Sequence, residues 1–75
     1  MLKATLIIPA LNEAEAIGPL MRRVPRETVA EVVVVDNGST DATGSIAAGA
    51  GARVISEPRR GYGAACWAGV SALGP

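Results

Sequence analysis

Histidine and phenylalanine are absent from this sequence, cysteine occurs once, and the aromatic residues are Tyr62 and Trp67 alone. Without histidine, Cys/His catalysis and histidine-containing metal sites are excluded within these residues, and the single Cys66 has no internal disulfide partner. Cys66 is read as a small buried hydrophobe, and Trp67, on a helix, as a core residue. Without phenylalanine, the core has to be built from Val, Ile, Leu and Ala, whose small volumes imply close backbone packing. Net charge is lacking too: seven Lys plus Arg balance seven Asp plus Glu, so no field marks nucleic acid or an anionic membrane as partner. Apolar runs such as Leu6–Ile8 and Val32–Val35 are far too short to cross a bilayer, and the N-terminus has no signal-peptide apolar region; a cytoplasmic location is expected. The 75 residues form at most one small domain, too small for a complete active site to be expected.

What is present centres on Glu31–Asp41. The valine run Val32–Val35 suits a parallel strand covered on both faces, where polar alternation is unnecessary. It ends at Asp36, followed by an Asn37-Gly38 turn and a helix start at Ser39-Thr40-Asp41, the position at which open α/β sheets bind ligands.

Around that strand the chain reads β-α-β-α-β-α. Ala4–Pro9 is a first strand ended by a proline that cannot donate to the ladder. Asn12 with Glu15 resembles a capping box, and Ile17, Leu20, Met21 and Val24 form an apolar helical stripe. Gly18-Pro19 leaves two alternatives open: Asn12 caps an irregular turn and the regular helix begins near Pro19, or the helix is kinked there. Arg22-Arg23 and Pro25 end it. Pro25–Ala30 is a polar connection and Glu31–Asp36 the second strand. A second helix is capped by Ser39 or Thr40, with Asp41 in its first turn; Ala47-Ala48-Gly49-Ala50 lets it lie close to the sheet, and Gly51 ends it. Arg53–Ser56 is a short third strand, Glu57–Gly61 a loop, and Tyr62 or Gly63 to Leu73 a third helix. Three strands separated by helices imply a parallel sheet with right-handed crossovers, a three-layer Rossmann-like α/β arrangement. The loops Pro9–Glu13, Asp36–Asp41 and Glu57–Gly63 therefore converge on one sheet edge.

On that edge Asp36 is placed to accept hydrogen bonds from a ribose or base, with Asn12, Glu13 and Asp41 beside it; its plainer role is to cap the Asn37-Gly38 turn. Arg59 and Arg60 precede Gly61-Tyr62-Gly63 at a helix start, which suits a diphosphate, although Arg59 reads equally well as part of a solvated loop. Gly61-Tyr62-Gly63-Ala64-Ala65-Cys66 lacks the third glycine of a dinucleotide motif and follows the wrong strand, so NAD binding is disfavoured; no Gly-Lys-Ser/Thr makes a P-loop. A haloacid-dehalogenase-type phosphotransferase shares the apolar strand, Asp36 and Thr40, but Gly38 stands where its acid-base aspartate belongs.

Three segments, Ile7-Ile8-Pro9-Ala10-Leu11-Asn12-Glu13, Val33–Asp41 and Arg60-Gly61-Tyr62-Gly63-Ala64-Ala65, together resemble family 2 nucleotide-sugar glycosyltransferases of GT-A fold, in particular the dolichyl- or polyprenyl-phosphate mannosyltransferase-like branch. The resemblance covers nearly the whole chain. It implies that Pro9, Ala10 and Glu13 line the base and ribose, that Asp36 hydrogen-bonds the base, and that Arg60 with the Gly61 and Gly63 backbone holds the nucleotide. The candidate donor-binding set, with the matched loop residues included, is Pro9, Ala10, Asn12, Glu13, Asp36, Gly38, Ser39, Asp41, Arg60, Gly61 and Gly63; no catalytic and no metal-ligating residue is assigned. The implied donor is a UDP- or GDP-sugar. The implied acceptor is a membrane lipid phosphate such as a polyprenyl phosphate, or a glycan, which would bring a full-length form to the inner membrane face. The Mg2+ or Mn2+ of such enzymes is held by an Asp-x-Asp-type motif beyond a fourth strand, and their catalytic base lies further on. Neither is in these residues, so residues 1–75 are expected to be the N-terminal nucleotide-binding portion of a larger domain, inactive on its own. The alternatives are a non-catalytic nucleotide-binding module and the phosphotransferase.

Overall fold

The structure is a computed structural model that describes residues 4–59 and 61–73, and of Tyr62 and Ala65 the backbone alone. Three strands, β1 (Ala4–Ala10), β2 (Val29–Asp36) and β3 (Arg53–Ser56), alternate with three helices, α1 (Ala14–Arg22), α2 (Thr43–Gly49) and α3 (Tyr62–Ala72). The strands are parallel in the order β1-β2-β3, and the register sets Ala10 beside Asp36 and Asp36 beside Ser56. All three carboxyl ends therefore finish in one row.

The valine strand lies in the middle, and Val32–Val35 are all at most 1% exposed. Alternate side chains serve opposite faces. Val32 and Val34 pack with Ile17, Met21, Val24 and Ala47 beneath α1 and α2, whereas Val33 and Val35 pack with Ile7, Ile55 and Ala68 beneath α3. The sheet is thus the middle of three layers, as the unbroken apolar run requires. β2 begins at Val29, earlier than the apolar run marks, because the Ala4 N–H donates to the Thr28 carbonyl and draws the preceding residues into the sheet.

β1 continues one residue beyond Pro9, and the Ala10 carbonyl accepts the Asn37 N–H at 2.8 Å. Since backbone groups alternate sides along a strand, Pro9 turns its missing N–H to the unpaired edge, where a proline does no harm. α1 begins at Ala14 and runs through Pro19 with no side-chain cap, which overturns the alternative of an Asn12 cap and a start near Pro19 and leaves the one in which the proline stands inside the helix. The apolar stripe is also narrower than the spacing indicates. Ile17 and Met21 are buried, but Leu20 is 43% exposed; at 3.6 residues per turn it lies about 60° to one side of Ile17 and falls at the rim.

α2 starts at Thr43, later than expected, and only Ala47 of its Ala-Gly stretch is buried. Gly51 takes the left-handed φ of 100° that ends it. The closest approach is made by α3. A Cβ on Gly69 would stand 2.5 Å from Ile7 Cγ2 and 3.2 Å from Val35 Cγ2, so a glycine is what lets this helix reach the sheet. Ala68 and Gly69 turn to the strands, which leaves Trp67 66% exposed rather than in the core. Cys66 is half-buried, not fully buried. No helix of the described residues is long and apolar enough to cross a membrane.

Candidate functional site

The strand row Ala10, Asp36, Ser56 is extended by one more rung on each side, with Asn37 N–H donating to Ala10 O and Glu57 N–H to Asp36 O at 2.9 Å. From these rungs the three loops rise together, and two hydrogen-bond locks tie them.

The first lock joins the entries of α1 and α2. Asn12 sits at φ 53°, an uncommon backbone state that asparagine tolerates. Its N–H donates to Ser39 Oγ at 2.9 Å, and its Oδ1 accepts the Thr40 N–H at 2.9 Å. The next two amides follow suit: Glu13 N–H donates to Thr43 Oγ1 at 2.8 Å and Ala14 N–H to Asp41 Oδ2 at 3.2 Å. Three successive amides at the start of α1 are thus capped by the loop leading into α2, not by a local box. Asp41 Oδ1 also accepts the Thr43 N–H at 3.0 Å and the Thr43 hydroxyl. That hydroxyl first, then the Thr43 and Ala14 amides, holds the Asp41 carboxyl below the usual carboxylate range against the opposing effect of burial.

The second lock joins the β2 tip to the β3–α3 loop. Asn37, 7% exposed, donates through Nδ2 to the carbonyls of Glu57, at 2.8 Å, and Arg59, and accepts the Gly61 N–H on Oδ1 at 3.2 Å. Glu57 is buried as well. Its carboxylate takes the Arg59 N–H at 2.9 Å and the Arg59 guanidinium at 2.8 Å, and those contacts, the guanidinium hydrogen bond foremost, lower the Glu57 pKa and raise that of Arg59. Arg59 therefore pairs with its own loop while its side chain stays exposed.

Asp36 stands between the locks, half-buried. Oδ1 accepts the Ser39 N–H at 2.9 Å across the turn at Gly38, whose φ is 88°. This is the turn-capping role. Among the described residues that is the one hydrogen bond the carboxylate makes, and Oδ2 is left for another donor. A Cβ on Gly44 would come within 3.1 Å of Oδ2, so glycine keeps that oxygen accessible. On the neighbouring strand Ala10 pairs with Asp36 and Pro9 with Val35. Side chains added at Gly38, Gly61 or Gly63 would meet nothing within 4 Å, and Gly61 adopts φ 115°, so open space borders the row at these points.

The structure thus gathers Pro9, Ala10, Asn12, Glu13, Asp36, Gly38, Ser39, Asp41, Gly61 and Gly63 at one edge, while Arg60 lies outside the described residues. It also separates them by task. Asn12, Ser39 and Asp41 are engaged in the first lock; Glu13 is exposed. A shallow hollow of about 490 Å³ is walled by Asn12, Glu13, Ala14, Glu15, Ala16 and Asp41, and its three carboxylates repel an anion, which favours the space over Asp36 and the glycines instead. Sequence reasoning missed Asn37 and Thr43 because each acts on backbone groups 20 to 30 residues away, and Glu57 because its partner, Arg59, is fixed by the local turn of the loop. Among the described residues no group of three or more Asp, Glu or Cys side chains is arranged to hold a metal ion, so these residues do not fit a divalent cation.

Residues 5–73 match the model of glycosyl transferase family 2. An uncharacterised glycosyltransferase of Mycobacterium tuberculosis (strain ATCC 25618 / H37Rv) is 47% identical over 68 residues, 91% of this chain and 30% of the relative. The glucosyl-3-phosphoglycerate synthase of Mycolicibacterium smegmatis is 34% identical across 91% of this chain and 26% of its own length. Among solved structures, glucosyl-3-phosphoglycerate synthase from Mycobacterium tuberculosis in complex with Mn2+, UDP and glucosyl-3-phosphoglycerate superposes with a TM-score of 0.83 at 33% identity, covering 93% of this chain and 29% of that one. The chain spans under a third of the length of the relatives it matches.

Proposed function

The chain belongs to glycosyl transferase family 2, and from that membership, joined to the geometry of the strand tips, we propose that it supplies the nucleotide-binding part of an enzyme that transfers a sugar from a nucleotide-sugar donor to an acceptor. The observation that carries this reading is Asp36: a half-buried carboxylate at the centre of the strand row beside Ala10, one oxygen fixed by the Ser39 N–H and the other, next to Gly44, making no hydrogen bond among the described residues. Such an acceptor suits the N–H of a base or the hydroxyl of a ribose, and it sits where α/β sheets take their ligands. We take UDP as the nucleotide, a choice supported by the similar synthase structure that contains it. The acceptor is proposed to be a polyprenyl phosphate or a glycan, with the enzyme on the cytoplasmic side, at the inner membrane face when the acceptor is a lipid. A divalent cation belongs to the proposal for the whole enzyme, with ligands outside these residues. Family membership favours this reading over the phosphotransferase one, which Gly38 already weakens.

Calorimetric titration of UDP and GDP against the wild-type chain, Asp36→Ala and Asp36→Asn tests it. The asparagine variant keeps an acceptor for Ser39 but replaces the open oxygen by a donor. Hydrogen bonds to a charged partner contribute about 1.5–3 kcal/mol, so both variants are expected to bind UDP at least about tenfold more weakly. Equal binding by all three proteins would remove Asp36 from nucleotide recognition. Sugar transfer is not expected from the 75-residue chain; metal-dependent turnover would show that the site is more complete than proposed.

A further inference from the structure

The amide of Asn37 is fully spent on the backbone of one short segment. Both Nδ2 hydrogens go to carbonyls, those of Glu57 and Arg59, and Oδ1 takes the Gly61 N–H. No other side chain of this size offers two donors and an acceptor in that arrangement: aspartate presents acceptors only and would face two carbonyls, and leucine would leave all three groups unpaired. The segment so held is the one whose cations and glycine amides suit a diphosphate. Arg59 and Gly61, the neighbours of Arg60 in sequence, are both bound to Asn37. Glu57 completes the frame from within, since its buried carboxylate accepts hydrogen bonds from the Arg59 N–H and guanidinium. Asn37 itself is pinned through its own N–H to Ala10, beside the Asp36 that is proposed to read the base. One side chain therefore fixes the distance between the base-reading and the phosphate-reading parts of the edge.

Building on the nucleotide-site reading above, we propose that Asn37 is a positioning residue that sets the contribution of the diphosphate to nucleotide affinity, by holding the Arg59 carbonyl and the Gly61 N–H at the tip of β2. It touches no ligand. Its effect is confined to the phosphate end, because the β1 tip and Asp36 keep their own hydrogen bonds when the amide is changed.

The test titrates UDP and, separately, uridine against the wild-type chain, Asn37→Asp and Asn37→Ala, followed by backbone amide chemical shifts. In the alanine variant water can take over the three backbone groups, so it bears the test should the aspartate variant not fold. Wild type is expected to bind UDP more tightly than uridine. Both variants are expected to lose about tenfold or more toward UDP, the scale of one lost charge-assisted hydrogen bond, while uridine affinity changes by less than about twofold. Unchanged UDP affinity overturns the proposal. Equal losses for UDP and uridine, or failure of both variants to fold, assign Asn37 a purely structural role and overturn it as well. Wild-type protein that binds neither ligand removes the nucleotide reading itself, an outcome distinct from the selective failure of Asn37.

Discussion

Thr43→Val replaces a hydroxyl by a methyl of nearly the same size at a position with no exposed surface, so the substitution isolates the hydrogen bonds of the first lock. Two are lost: the one accepted from Glu13 N–H at 2.8 Å and the one donated to Asp41. Asp41 is exposed and recovers water, so the decisive loss is at Glu13, whose part-buried amide lies at the start of α1 with no intrahelical partner. An unpaired buried donor costs about 1–3 kcal/mol, and the gain from an added apolar group offsets about 0.8 kcal/mol of it. The net expectation is a destabilisation of up to about 2 kcal/mol, which in a domain of this size lowers Tm by up to roughly 15 °C. Urea denaturation gives the free energy, and amide hydrogen exchange locates it: the Glu13 N–H should lose protection in Thr43→Val and keep it in Thr43→Ser, which retains the hydroxyl. A Thr43→Val protein as stable as wild type or more so, or one with the Glu13 N–H still protected, would refute the idea that α1 is capped from the α2 entry loop.

Gly69→Ala gains about 1 kcal/mol of helix propensity but sets a Cβ 2.5 Å from Ile7 Cγ2; overpacking costs about 1–3 kcal/mol, so net destabilisation is expected, and a raised Tm would contradict it. Pro19→Ala restores an N–H to the Glu15 carbonyl inside α1 and should stabilise by about 1–3 kcal/mol; a lower urea midpoint would show that the proline is needed where it stands. Asp41 and Glu57 are both held below the ordinary carboxylate range, so the unfolded chain protonates before the folded one. The stability they lend is complete above the unfolded carboxylate values, at about pH 5, and is lost as pH falls through their lower folded values. Asp41→Asn should flatten that acid decline in urea midpoints measured from pH 3 to pH 7, and an unchanged acid slope would count against the Asp41 assignment.

The sequence by itself determined the alternation of three strands and three helices, the burial of Val32–Val35 on both sides and the position of Asp36 at a strand end. Each is written locally, in an apolar run, a Gly or Pro break or a helix stop, and needs no knowledge of distant partners. The tertiary structure decided what the polar residues of the loops do. Ser39, Asp41 and Thr43 look like the cap of their own helix, yet they serve amides 27 to 30 residues earlier, and Asn37 looks like a turn residue but clamps a loop 20 to 24 residues later. Likewise Trp67 reads as core until Gly69 is found to be the contact with Ile7. A donor or acceptor takes the partner that the crossovers between parallel strands carry within about 3 Å, and that distance is a property of the folded sheet edge, not of spacing along the chain.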